Sequence, residues 1–166
     1  MSATSETMLA VEAQGRVLLP ALAGGLAAAT CDATSAFLTF GWGMPRGIAS
    51  GLLGASAFKG GPGVWLLGLA AHYSILIVAA LIYGAASRRL PFLRVNFIVC
   101  GLFYGLAIYL VMNLIVLPLS AVPFPVGPFT VTMLRHDIVA QMLLVGMPIS
   151  VSFRLLSGPA GMRVSR

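Results

Sequence analysis

The chain has 166 residues, of which 59% are hydrophobic and 8% charged, and its mean hydropathy is +1.00. A water-soluble domain carries about 25% charged residues, so this chain cannot cover a soluble surface and composition alone places it in a membrane. The net charge of +6 does not indicate nucleic acid as a partner, because the basic residues stand at the ends of apolar segments and not on an aromatic-interleaved face; they read as topology signals and lipid-headgroup contacts.

Residues 1–16 are polar, with Glu6, Glu12 and a late Arg16. A cleaved signal peptide wants a positive start and a small-x-small cleavage site, and neither these residues nor the "AATC" after the first apolar run supplies them. The expectation is a polar cytoplasmic segment followed by an uncleaved first span over about 17–40. Pro20 falls in its opening turn, where a missing N–H costs little.

The glycine-rich stretch GWGMPRGIASGLLGASAFKGGPG follows. It is not a phosphate cradle: Walker A needs G-x-x-x-x-G-K-[ST], and here Phe58 stands at the second glycine and Gly60 at the hydroxyl position. Residues 45–58 instead predict a short re-entrant or interfacial helix, since an apolar run of that length cannot cross a bilayer. Pro45 suits its start, and Gly60, Gly61 and Pro62 end it. Gly47, Gly51 and Ala55 recur at i, i+4 and predict a small-residue face toward the bundle or a partner. Arg46 and Lys59 would hold its two ends at headgroup level.

Three further spans are predicted at about 64–86, 95–119 and 131–153, each near the roughly 20 residues that a 30 Å core requires. The fold class is therefore all-α, a four-helix transmembrane bundle with the short helix between spans one and two. Pro118 and Pro148 each remove a helix hydrogen bond, from the carbonyls of Leu114 and Leu144, and predict kinks. The proline-rich connection AVPFPVGPF, with Pro123, Pro125 and Pro128, predicts an extended strap. Placing Arg16, Arg88, Arg89, Arg94 and the basic tail 154–166 on one side leaves Arg46, Lys59 and Arg135 on the other. The positive-inside rule then puts both termini in the cytoplasm. Cys31 and Cys100 lie in different helices at levels about 13 Å apart, too far for a disulfide.

An ionisable side chain inside a bilayer is costly and is by default a functional hypothesis. The candidates are Asp32 in span one, His72 in span two, Asn113 in span three, and Arg135, His136 and Asp137 in span four. Asp32 continues the stripe Gly24, Ala28, Asp32, and Asn113 continues Gly101, Gly105, Tyr109. His72 follows Gly68, and Asp137 is followed by Gln141. Small residues in such stripes mark faces where helices approach closely, so these groups are expected to point into the bundle, as interhelical hydrogen-bonding glue or as a proton, ion or cofactor site. His72 and His136 would be the ligands if haem b were held between facing helices. The sequence lacks H-x-x-x-H, H-E-x-x-H and G-x-S-x-G, so neither a metal centre nor a hydrolase is read from it.

Taken together, GIASGLLG…AF.GG, a histidine in the following span, RRLPF and GL.YGLAIYLVMNLIVLPLSA resemble a group of uncharacterised bacterial inner-membrane proteins of similar length. The resemblance covers about residues 30–153 and implies a bacterial plasma membrane and four spans. It brings neither an activity nor site residues. The leading functional expectation is a non-catalytic accessory or assembly subunit that contacts lipid and other membrane subunits or its own copies. The alternatives are a small transporter or proton-conducting protein using the intramembrane polar residues, and a haem- or quinone-associated redox protein.

Overall fold

The computed structural model describes residues 3–123 and 131–157, with side chains described for 17–123 and 136–157. The regular elements among them are all helical, as a hydrocarbon solvent demands of backbones that must satisfy their own hydrogen bonds. Among the described residues, four helical segments are long and apolar enough to cross a membrane. Most of the proline-rich strap and the end of the basic tail lie outside the described residues.

The first span belongs to α1 (Ala3–Phe40), which begins well before the apolar run because residues 3–16 are rich in strong helix formers such as Ala, Glu, Met and Leu. At about 57 Å it is nearly twice as long as a hydrocarbon core is thick. Pro20 is consequently inside the helix and not in an opening turn, a correction to the expectation above. It is fully buried, and its carbonyl accepts a hydrogen bond from Ser152 Oγ of the fourth span at 2.9 Å.

Two glycines in the left-handed region, Gly41 at φ +65° and Gly54 at φ +62°, bracket the short helix α2 (Met44–Leu53). Gly54 ends it earlier than the apolar run ends, and a 3₁₀ turn over Gly54–Lys59 takes its place. The buried face of α2 is Met44, Pro45, Ala49 and Ser50. Gly47 faces open space and Ala55 is exposed, so the face toward the bundle is not the Gly47, Gly51, Ala55 stripe. The small residue that permits close approach sits on the partner helix: a Cβ on Gly68 would strike the Pro45 carbonyl. Gly51 instead meets the end of the third span, its carbonyl accepting from Ala121 N at 2.9 Å.

The second span is α3 (Pro62–Arg89). Gly68 lies six residues into it, so α2 starts about 9 Å down α3 and not at its tip. Trp65 Nε1 donates to the Trp42 carbonyl at 3.0 Å, and Phe37, Trp42 and Trp65 form an aromatic cluster of the kind that settles at membrane–water interfaces. At the other end, Pro91 and the single turn α4 (Phe92–Val95) lead into the third span. Tyr83 Oη donates to the Leu93 carbonyl at 2.9 Å, and Arg94 donates to Ser87 Oγ, folding this connection onto α3.

The third span is α5 (Phe97–Val111), a wide turn over Met112–Val116 and the short α6 (Leu117–Leu119). The fourth is α7 (Val131–Ala140), a wide turn over Gln141–Gly146 and α8 (Met147–Leu156). Both predicted proline kinks are therefore taken up as π turns. The N–H of Leu117 bonds to the Met112 carbonyl and that of Met147 to the Met142 carbonyl, five residues back in each case. Widening the turn just before a proline spares its ring the clash with the preceding turn.

Span one packs against spans two and four, and span four packs against span three. The core is built on Ala21, Ala28 and Ala29 of α1 with Leu76, Ala80, Tyr83, Val145, Ile149 and Phe153. Spans three and four meet glycine to glycine, since a Cβ on Gly146 would strike the Gly101 carbonyl and lie 2.7 Å from Gly105 N. Gly146→Ala is expected to cost about 1–3 kcal/mol through this overpacking, seen as a lower unfolding midpoint in detergent. Gly63→Ala, at a position facing open space, should change stability by no more than about 0.5 kcal/mol.

Candidate functional site

Four-residue steps along α3 bury Gly68, His72, Leu76 and Ala80 in one line, and this line faces the Ala28, Ala29, Asp32 side of α1. His72 Nε2 lies 3.1 Å from the Ala29 carbonyl. A carbonyl only accepts, so Nε2 carries a hydrogen and any additional proton binds at Nδ1. The same Nε2 is 3.8 Å from Asp32 Oδ2, and the two side chains are 8% and 19% exposed. The other carboxylate oxygen, Asp32 Oδ1, accepts from Gln141 Nε2 at 3.3 Å.

Gln141 comes from the fourth span, at the first residue of its wide turn. It is brought close by Gly105, where a Cβ would strike the Gln141 carbonyl. Tyr109, one turn beyond Gly105, is buried, and its hydroxyl has no hydrogen-bond partner among the described residues; the same holds for Gln141 Oε1. Thr30 Oγ1 and Tyr73 Oη, 3.2 Å apart, join α1 to α3 beside the site. Along their helices the acid lies about 8 Å below Phe37 and the imidazole about 10 Å below Trp65, inside the hydrocarbon core on the side of the aromatic cluster.

The remaining candidates are not gathered here. Asn113 Nδ2 bonds to the Tyr109 carbonyl of its own helix at 2.9 Å. His136 and Asp137 contact each other at 3.6 Å, and their side chains are 71% and 52% exposed. Both side chains are largely open, so the expectation that they point into the bundle is corrected. Arg135 belongs to α7, but its side chain lies outside the described residues. On α2, Arg46 is half-buried with Nε unpartnered among the described residues, and Lys59 is exposed at the end of the 3₁₀ turn.

For haem b, the two imidazoles are housed differently: His72 is enclosed with Nε2 committed to Ala29, and His136 is on the surface. Among the described residues no three His, Cys, Asp or Glu side chains gather as a metal site, and Cys31 and Cys100 are free thiols. The role of Gln141 as a wall of the site was legible only as the stripe position following Asp137. Thr30 and Tyr73 carried no sequence signal. Searches against protein-family models, curated proteins and solved structures find no match to this chain.

Gln141→Leu removes a donor from Asp32 and is expected to cost about 1 kcal/mol in a detergent unfolding assay. Gln141→Glu should cost more at neutral pH, because two carboxylates about 3 Å apart cannot both ionise. Its stability should recover as the pH falls and the pair shares a proton.

Proposed function

We propose that this multi-pass membrane protein binds a proton at the Asp32, His72 and Gln141 site and acts as a proton-conducting protein or a small proton-linked transporter. One observation carries the reading: three separate spans each send a polar group, an acid, an imidazole and an amide, to one enclosed point. An acid within a span is costly to insert, up to about 2.5–3.5 kcal/mol at a helix centre on translocon scales. The unpaired buried Oε1 of Gln141 leaves hydrogen-bonding capacity for a water or hydronium beside the carboxylate. The basic residues at the Arg88, Arg89 and Arg94 end support an orientation with both termini in the cytoplasm of a bacterial inner membrane.

In vesicles loaded with a pH-sensitive dye, the protein should dissipate an imposed proton gradient faster than empty vesicles do. Asp32→Asn and His72→Phe should each cut that rate by about a hundred-fold or more, on the order of a proton-transfer contribution. Wild-type flux in both variants, or none in the wild type, would remove the reading.

A second reading is an accessory or assembly subunit associating with other membrane subunits or with its own copies. It is favoured by the third span, the least buried of the four, whose Phe103, Leu110 and Leu114 are exposed. Extraction in mild detergent should then yield stoichiometric partners or a defined self-association, and a monodisperse monomer would speak against it.

A further inference from the structure

Spans two and three touch at Tyr104 and leave a gap beside that contact. Between them runs a cleft of about 450 Å³ walled by Ile75, Val78, Ile82, Ala107 and Val111. It adjoins a second hollow of about 450 Å³ that shares Tyr104 and Ala107 and reaches Ala86, and a third of about 890 Å³, between span two and Val17 of span one, that shares Ile82 and Ala86 with them and is lined by Arg88 and Arg89. Ile75, Ala79, Ile82, Ala86 and Arg89 alternate at steps of four and three residues, so one face of α3 runs from the deep end of the cleft to the arginines. That path is about 21 Å long at 1.5 Å per residue, which matches half of a bilayer about 40–45 Å thick with its headgroups.

The cleft is too narrow for another helix. Tyr104 Oη crosses it to donate to the Ala79 carbonyl at 2.7 Å, and the Tyr83 and Tyr104 rings are 4.9 Å apart, whereas a helix with side chains is about 10 Å wide. An acyl chain fits such a slot. At its mouth the positive charge is uncompensated, since no carboxylate pairs with Arg88 or Arg89 among the described residues; Asp32 and Asp137 are taken by histidines. Burial pushes the Arg94 guanidinium below its usual pKa, and the neighbouring Arg88 charge pushes it further, a repulsion that an anion would relieve.

We infer that the cleft between spans two and three holds an anionic phospholipid, with an acyl chain along Ile75, Ile82 and Ala107 and its phosphate at Arg88 and Arg89. This site is separate from the proton site and does not depend on it. The test is native mass spectrometry of the full chain reconstituted with equal amounts of phosphatidylglycerol and phosphatidylcholine of identical acyl chains.

The wild type should retain phosphatidylglycerol over phosphatidylcholine by about thirty-fold, on the order of what two arginines contribute at a charged surface. The R88Q/R89Q double variant should bring the two lipids level. Ala107→Phe, which fills the cleft, should reduce retention of both, and excess inorganic phosphate should leave the adduct intact. Equal retention in the wild type, or an undiminished preference in R88Q/R89Q, overturns the proposal. So does stripping of the lipid by inorganic phosphate, or a dimer that replaces lipid retention and is lost in Ala107→Phe, which would assign the cleft to a second copy.

Discussion

Leucine is as comfortable in lipid tails as against another leucine, so helices inside a membrane gain little by burying more hydrocarbon against each other. What holds them is close approach, and in this bundle close approach happens where side chains are smallest. Gly101, Gly105 and Gly146 bring spans three and four into backbone contact, Gly68 admits the Pro45 carbonyl, and Gly24 makes room for Ser152. The first span contributes alanines where a soluble core would contribute leucines. Bulky residues face outward: Leu38, Phe103 and Leu114 are among the most exposed side chains.

The polar site is a consequence of that packing. Asp32 and His72 lie on the same lines as Ala28 and Gly68, so the faces that let backbones approach also carry the acid and the imidazole inward. Gln141 reaches Asp32 from a third helix only because Gly105 leaves its backbone space to come near. Placed on a lipid-facing side, the same carboxylate would need water or a headgroup. The prolines act in the same direction: a π turn ahead of Pro148 keeps the fourth span continuous and begins at the residue that donates to Asp32.

The two ends of the bundle differ in chemistry. One carries the Trp42, Trp65 and Phe37 cluster and the short α2, tied to the third span by the Ala121–Gly51 hydrogen bond. The other carries Arg88, Arg89 and Arg94, with Tyr83 and Ser87 binding the connection to α3. The open cleft between spans two and three leads to the basic end, and the acid–imidazole pair lies in the enclosed seam between spans one, two and four.

Composition and periodicity determined by themselves that this is a helical membrane protein with four spans, because hydrophobicity over 20 residues and the four-residue spacing of small residues are local properties. They also singled out the acid and the imidazole as candidates, since an ionisable group in an apolar run is visible without a partner. Which polar residues meet was decided only by the tertiary structure. Asp32, His72 and Gln141 converge while His136 and Asp137 stay largely exposed, because side-chain direction along span four depends on the phase of the wide turn that begins at Gln141. The inner face of α2 likewise followed from Gly54 and Gly68: a left-handed glycine stopped the helix, and a glycine on the opposing helix, not the stripe on α2 itself, set where the two backbones touch.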